Sequence, residues 1–307
     1  MPGVSVIIVS FNSGAHLDRC LSAVIRDDRE VVVVDCASTD RSVAIVRGRY
    51  PTVRVLELDR NVGYGAGNNA GAVLVSGEYL LLLNPDAWPV GDAVDRLATF
   101  LDLHPRAALV GPRLLSPDGI LQPSVRGFPT LWRLATEYFF LRWLAPRTQF
   151  LNAFYAANFD HRSHREAEFV AGAAMLVRRK AFNEVGGFDP AFFMFNEEVD
   201  LCRRLRGVGW TIEFMPEAEF IHVGGASTRA VRSEMYREQL RSHLRFLAKH
   251  ESPAAAANAR LLLLWAMRVR ALIFVGERRV ISRDAAEWLA ARDVPALLAA
   301  APVGTSD

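Results

Sequence analysis

This 307-residue chain has little cysteine, almost no net charge and no apolar run long enough to cross a bilayer. Each shortage removes a class of protein. Cys20, Cys36 and Cys202 are odd in number and far apart, with no Cys-x-x-Cys pair to hold zinc or run thiol–disulfide chemistry, which fits a reducing cytoplasm. A net charge of +2, with 36 Lys plus Arg against 34 Asp plus Glu, argues against nucleic acid as a partner. The first residues run straight into "VSVIIVSF" without a basic leader, so no secretion signal is expected, and no apolar run reaches the ~20 residues of a span. There is no internal repeat, and the one low-complexity tract is "AAAANA" at 254–259.

What is present is core: 51% of the residues are hydrophobic, enough for one large or two small domains. Residues 4–113 alternate strand-like runs ("VSVIIVSF", "EVVVVDCAS", "VRVLELD", "YLLLLNPDA", "AALVGPRLL") with segments long enough for crossover helices. That rhythm predicts an α/β fold with a mostly parallel sheet flanked by helices. Ten of the thirty aromatic residues fall in 128–159, which reads as an insertion. "EFVAGAAMLVRR" then resumes the sheet, a helix begins near 196, and "TIEFMPEAEFIHVGG" adds another β-rich stretch. The expected division is a catalytic domain over 1–228, with halves 1–113 and 114–228, and a basic helical extension over 229–307.

The strand ends carry the chemistry. "YLLLLNPDAW" is a run suited to a strand buried on both faces, and Pro85 turns it out of the ladder at Asp86. Ser10 to Asn12, Asp35 to Asp40 and Arg60 to Asn69 end the other runs, and in a parallel sheet these ends share the edge where ligands bind. The plain alternatives are a turn for Asp86 and a helix cap for Asp40. "NVGYGAGNNAG" (61–71) formally matches a dinucleotide fingerprint through Gly65, Gly67 and Ala70, but after the third strand. The plain alternative is a glycine-rich turn into a helix; the stretch reads better as a flexible backbone loop, containing Asn61, Gly63, Gly67 and Asn68, whose amides and helix N-terminus face a nucleotide diphosphate. In "FNEEVDLCRRL", helical spacing puts Glu198 on the inward face with Leu201, Cys202 and Leu205. Glu197, Asp200 and Arg204 fall on a more polar face, where Asp200 can pair with Arg203 or Arg204. A carboxylate on an apolar face is costly unless it is used or paired.

These motifs, in this order over roughly residues 4–245, resemble the family 2 glycosyltransferases of the GT-A Rossmann-like fold. The resemblance implies an inverting sugar transfer, with Asn84-Pro85-Asp86 in place of the family's Asp-x-Asp and Asp86 as anchor for Mg²⁺ or Mn²⁺ and the diphosphate. It implies Glu198 as catalytic base and nucleotide contact by Asp35, Ser10, Asn12 and Asn84, with Cys36 where an Asp or Asn is usual. Gly172, Glu197 and Asp200 take acceptor-side or supporting places. His222 is either a further metal or diphosphate contact or simply structural. "Asn-Pro-Asp" with "GAGNN" looks most like the rhamnosyltransferase branch, which implies a nucleoside-diphosphate sugar donor, dTDP-rhamnose first, and a glycan or polyprenyl-linked acceptor in cell-wall or polysaccharide assembly. Rival readings are a nucleotidyltransferase, an NAD-dependent oxidoreductase and a non-catalytic sugar-nucleotide binding protein.

Two further segments mix apolar bulk with arginine: "LWRLATEYFFLRW" (131–143) and "RLLLLWAMRVRALIFV" (260–275). Both are too charged or too short to span, and both suit peripheral contact with the inner face of a membrane. Buried helices, the second packing a homodimer, are the alternative.

Overall fold

Each of the first four apolar runs forms a strand, and the segments between them form helices. The computed structural model describes residues 3–152, 154, 156, 159–224 and 232–300. Its first part contains β1 (Val4–Ser10), α1 (Gly14–Val24), β2 (Glu30–Asp35), α2 (Ser42–Arg49), β3 (Arg54–Glu57), α3 (Tyr64–Val73), β4 (Tyr79–Leu83), β5 (Ala87–Pro89), α4 (Ala93–Leu103) and β6 (Ala107–Leu115). Then come β7 (Leu121–Gln122), β8 (Val125–Arg126), α5 (Leu131–Tyr138), a 3₁₀ turn (Leu141–Trp143), β9 (Arg165–Glu166), β10 (Phe169–Val170), β11 (Ala174–Arg178), α6 (Arg179–Glu184), α7 (Glu197–Gly207) and β12 (Thr211–His222). The chain ends in α8 (Arg232–His250), α9 (Pro253–Ile273), α10 (Gly276–Ala290) and α11 (Val294–Ala299). Gly225 of the "HVGG" motif lies outside the described residues.

The chain divides into two units. The first comprises the described residues within 1–126, 160–193 and 197–224. Its main sheet has the order β3-β2-β1-β4-β11-β6-β12-β5, with β7 and β9 on β6 and β12. β1 runs parallel to β2 and β4, and β2 to β3. Every side chain of β1 and β4 is buried, as expected of strands covered by helices on both faces.

The run 168–178 departs from the single strand expected. Phe169 and Val170 pair with β8 in a separate two-stranded sheet, and the chain turns at Gly172 before β11 enters the main sheet antiparallel to β4 and β6. An apolar run does not encode strand direction, and this reversal brings the start of β11 to the edge where β1, β2 and β4 end: Ala174 lies opposite Leu83.

The second unit comprises the described residues within 127–159, 194–196 and 228–300. The aromatic segment 128–159, read from the sequence as part of the catalytic domain, therefore belongs with the C-terminal helices. The reason is a shared core, in which Leu134 and Tyr138 of α5 pack with Leu244 of α8, Leu263 and Met267 of α9 and Leu289 of α10. Local chemistry starts these helices: the Thr130, Ser252 and Asp293 side chains accept from Arg133 N, Ala255 N and Ala296 N, and Pro253 opens α9. Met194 and Asn196 join this unit through α8, with Ser242 Oγ donating to Met194 O at 2.8 Å and Asn196 Nδ2 donating to His243 Nδ1 at 2.9 Å. Burial holds the His243 ring down to about 4, so it is the neutral acceptor this bond requires. Phe195 and Asn196 are both left-handed, at φ 66° and 61°, conformations that bulky residues keep only when their surroundings impose them.

Candidate active site

The sheet edge gathers the expected strand ends. Ser10 and Asp35 are register partners on β1 and β2, Asp86 follows β4, Gly172 precedes β11, and His222 closes β12 opposite Ala87. Several polar atoms here are buried with no hydrogen-bond partner among the described residues: Ser10 Oγ, Asp35 Oδ2, Asn68 Oδ1 and Glu198 Oε2. Unsatisfied buried polar groups are expensive, which makes these four atoms candidates for contact with a ligand.

Asp86 sits in a turn after the Leu80–Leu83 run, closed by Ala87 N donating to Asn84 O at 3.1 Å, with Pro85 at the turn position its fixed φ favours. The end of β12 holds it: Val223 N donates to Asp86 O at 3.0 Å and Gly224 N to Oδ2 at 3.1 Å. Burial works to raise the Asp86 carboxyl, but the His222 ring and the Gly224 amide outweigh it and keep it below the usual carboxylate range. His222 Nε2 faces Asp86 Oδ1 at 3.4 Å. Its Nδ1 is 2.8 Å from Gln122 Oε1, while Gln122 Nε2 donates to His222 O at 2.8 Å. Gln122 thus grips both the backbone and the ring of His222. The amide oxygen can only accept, so Nδ1 carries a proton and Nε2 is turned to the carboxylate.

The pair turns one imidazole nitrogen and one carboxylate oxygen toward the same space. The donor set, one carboxylate and one imidazole with an oriented outer partner, fits a divalent ion. No group of three or more His, Cys, Asp or Glu side chains able to hold a metal occurs among the described residues. Remaining ligands would be diphosphate and water oxygens, the usual arrangement for Mg²⁺ at phosphates.

Glu198 lies in the first turn of α7. It is half-buried, and burial pushes its carboxyl up, opposed by the amides of Glu198, Val199 and Gly172 and by the Arg126 guanidinium. Gly172 brings Glu198 and α3 together: its Cα faces the Glu198 side chain, and its carbonyl accepts from Tyr64 Oη at 2.8 Å. The Tyr64 phenol is pushed well up, first by burial and then by Glu197 and Glu198. Asp200 is completely buried and accepts from Arg204 Nε at 2.8 Å, the structural ion pair allowed by the spacing. The polar face assigned to Glu197 and Asp200 is corrected here, since both are buried. Helix α7 packs against α3, β10 and β12, and a helix enclosed on several sides has no solvent face at those positions.

The glycine-rich stretch is also corrected. Only residues 61–63 are loop; α3 begins at Tyr64, so Gly67 and Asn68 lie within the helix, and its glycines serve close packing: a Cβ on Gly67 would sit 2.7 Å from Val9 Cγ1, and one on Gly71 2.5 Å from Ile7 Cγ2. Gly63, at φ 83°, sits against Phe193 O, where any side chain would collide, and its amide donates to Asn61 Oδ1 at 3.0 Å. Asn68, in the middle of α3, anchors its Nδ2 to Tyr64 O at 2.9 Å, and its Oδ1 is buried without a partner. Asn12 spends its side-chain oxygen on the amides of Thr39 and Asp40 at 2.8 and 3.2 Å, so it shapes the loop after β2. Asp40 is a cap, accepting from Gly14 N and Ser42 N at the starts of α1 and α2. Asp35 Oδ1 accepts from Ser38 N at 2.8 Å, and Oδ2 is buried without a partner. Cys36 is fully buried, its thiol pushed up to about 11 chiefly by that burial, and it offers no ligand-facing charge. Tyr64, Gln122 and Arg126 were missed in the sequence, because their partners lie far along the chain.

The topology is that of the GT-A glycosyltransferases. The mannosyltransferase PcManGT from Pyrobaculum calidifontis, solved with GDP-Man and Mn²⁺, matches at a TM-score of 0.55 and 17% identity over 97% of this chain and 79% of its own. The chain belongs to glycosyl transferase family 2, whose model matches residues 5–186, and it is a glycosyltransferase. It is 32% identical over 286 residues to the N-acetylglucosaminyl-diphospho-decaprenol L-rhamnosyltransferase of Mycobacterium tuberculosis, covering 88% of this chain and 92% of that protein. It is 28% identical over 197 residues to the rhamnosyltransferase WbbL of Escherichia coli K12, covering 61% of this chain and 70% of the relative.

Proposed function

We propose that this protein transfers rhamnose from dTDP-rhamnose to a polyprenyl-diphosphate-linked N-acetylglucosamine acceptor, with inversion, using Glu198 as base. The observation that carries the reading is the Glu198 carboxylate: raised by burial, with Oε2 partnerless, on the edge that also holds Asp35 and Asp86. A carboxylate shifted upward towards working pH is a better proton acceptor than an ordinary glutamate. Glu198 takes the proton of the attacking acceptor hydroxyl. Asp35 and Ser10 receive the nucleoside, and Asp86 with His222 holds the diphosphate end. When bound there, Mg²⁺ or Mn²⁺ supplies neutralising charge to the leaving diphosphate. Inversion follows from a single displacement, because Glu198 serves as base and no side chain is needed as nucleophile. The transferred sugar is the one both relatives are named for, and the acceptor class is the one in the name of the Mycobacterium tuberculosis relative, which supports this choice over the nucleotidyltransferase, oxidoreductase and binding-protein alternatives.

The test is turnover of dTDP-rhamnose with Mn²⁺ and a short-chain polyprenyl-diphosphate N-acetylglucosamine, with product mass and anomeric configuration read directly. A rhamnosylated product of inverted configuration is expected. Preferential turnover of a UDP- or GDP-sugar would replace the donor, and nucleotide binding without turnover would replace the enzyme by a binding protein.

A further inference from the structure

We propose that the helical unit docks on an anionic lipid surface through the outward face of α9 and the aromatic corner beside its C-terminal end. The inward face of α9 is core, with Ala259, Leu263 and Met267 fully buried. On a helix at the surface the opposite face should be polar. Here it reads Leu261, Trp265, Val269, Leu272 and Ile273, exposed by 49, 58, 38, 81 and 57%. The spacing of three and four residues puts them in one stripe, about 18 Å long at the helical rise. No described helix is long and apolar enough to cross a membrane, so this stripe fits a helix lying in the interface.

The stripe runs into a rigid corner. Phe274 packs edge-on against Phe140 with ring centroids 5.6 Å apart, and the Arg270 guanidinium lies 4.4 Å over Phe140. Arg270 also donates to Tyr138 O at 2.8 Å, Glu137 O at 3.1 Å and Tyr236 Oη at 3.0 Å. The chain leaving Phe140 presents Trp143 and Leu144, 68 and 77% exposed. Two tryptophans of this surface each carry an arginine on the ring, Arg268 over Trp265 at 5.1 Å and Arg142 over Trp143 at 5.2 Å. Tryptophan beside arginine suits the boundary between acyl chains and phosphates.

Charge selects the occupant. The sequence has no Asp or Glu from Ser252 to Gly276 or from Tyr138 to Phe159, while Arg142, Arg147, Arg260, Arg268 and Arg270 fall in these stretches. Glu137 and Glu277 border them, paired with Arg142 at 3.3 Å and with Arg232 at 2.7 Å, and Arg278 and Arg279 come directly after Glu277. A two-fold contact with a second copy would set this acid-free arginine stripe against itself. An anionic bilayer complements both its apolar rings and its charge.

Full-length protein should be sedimented with phosphatidylglycerol vesicles, with phosphatidylcholine vesicles and alone. Wild type is expected to bind the anionic vesicles strongly, the neutral ones weakly, and less at high salt. Trp265→Glu and Leu272→Glu, at exposed positions, should keep the wild-type thermal melt yet lose about tenfold or more in partitioning. Both variants should transfer sugar normally to a short, water-soluble acceptor without vesicles. Unchanged partitioning in the variants, or no preference for anionic vesicles, would overturn the proposal. So would a concentration-dependent dimer in sedimentation velocity that Leu272→Glu abolishes, which would give the surface to a second copy. Absence of sugar transfer alongside intact vesicle binding would support docking while removing the function proposed above.

Discussion

The two units break the ordinary rule of burial in opposite directions. At its sheet edge the α/β unit hides polar oxygens without partners, on Ser10, Asp35, Asn68 and Glu198. The helical unit shows water a row of apolar side chains from Leu261 to Ile273. Exposed large apolar residues also occur in the first unit, but Val73, Val90, Leu103, Ile120 and Val208 come from five separate places in the chain and include no aromatic ring. Scattered exposure needs no explanation, whereas convergence does. In each unit the departure from the rule describes the missing partner: hydrogen-bond donors and positive charge in one, an apolar surface in the other.

The largest expected effect tests the first half of this contrast. Glu198→Gln keeps the shape of the side chain and removes the base, so transfer should fall by about 10² to 10⁴ while dTDP affinity is retained. In the wild type, activity needs the carboxylate, so it should fall as pH drops through the raised value of Glu198, above the ordinary glutamate range. That acid limb should vanish from the residual activity of the Gln variant. A Gln variant that turns over normally, beside a folded but inactive Asp200→Asn, would move the base to Asp200.

Asp86→Asn comes next. It preserves the turn and an acceptor for the Gly224 amide, yet calorimetry with dTDP should lose the increment that Mn²⁺ adds to affinity. An equal Mn²⁺ increment in both proteins would detach Asp86 from the metal. Gln122→Leu should then weaken Mn²⁺ binding by roughly 10- to 100-fold, measured by electron paramagnetic resonance of free Mn²⁺, because the His222 ring loses the bond that orients it. None of these changes should alter vesicle sedimentation, and any that does would blur the contrast between the units.

The smallest effect belongs to the helical unit. His243 sits near 4 when folded and near 6.5 when unfolded, so between those values only the unfolded chain takes up a proton. Wild-type stability should therefore decline as pH falls from about 6.5 towards 4. His243→Gln, which can still accept from Asn196, should flatten that decline in melts recorded from pH 7 to 5. An unchanged slope would show that other groups dominate it.

Much of the α/β unit was legible because its evidence is local. A buried run such as Leu80–Leu83 followed by Pro85 and Asp86 announces both the strand and its polar end within a few residues. The same locality explains the errors. Gly65 and Gly67 signal close backbone approach, but whether to a phosphate or to Val9 and Phe188 depends on chain brought in from elsewhere. The burial of Glu197 and Asp200 and the clamp from Gln122 to His222, a hundred residues apart, are equally non-local. The segment 260–275 was ambiguous for a different reason: it answers to both descriptions, with Leu263 and Met267 in the core and Leu261 and Trp265 outside.

The grip of Ser242 and His243 on Met194 and Asn196 has a consequence for inheritance and engineering. The residues immediately before Glu197 belong to a unit whose remaining parts lie on either side of them in the chain, so neither unit is one continuous peptide. A recombination event that exchanged only the C-terminal helices would deliver a new α8 against an old tripeptide and an old α5. Of the crossover points available, those that carry 127–159, 194–196 and the helices together would keep these contacts matched. The helical unit should accordingly diversify by point substitution at exposed positions outside its docking face, and not by exchange as a module.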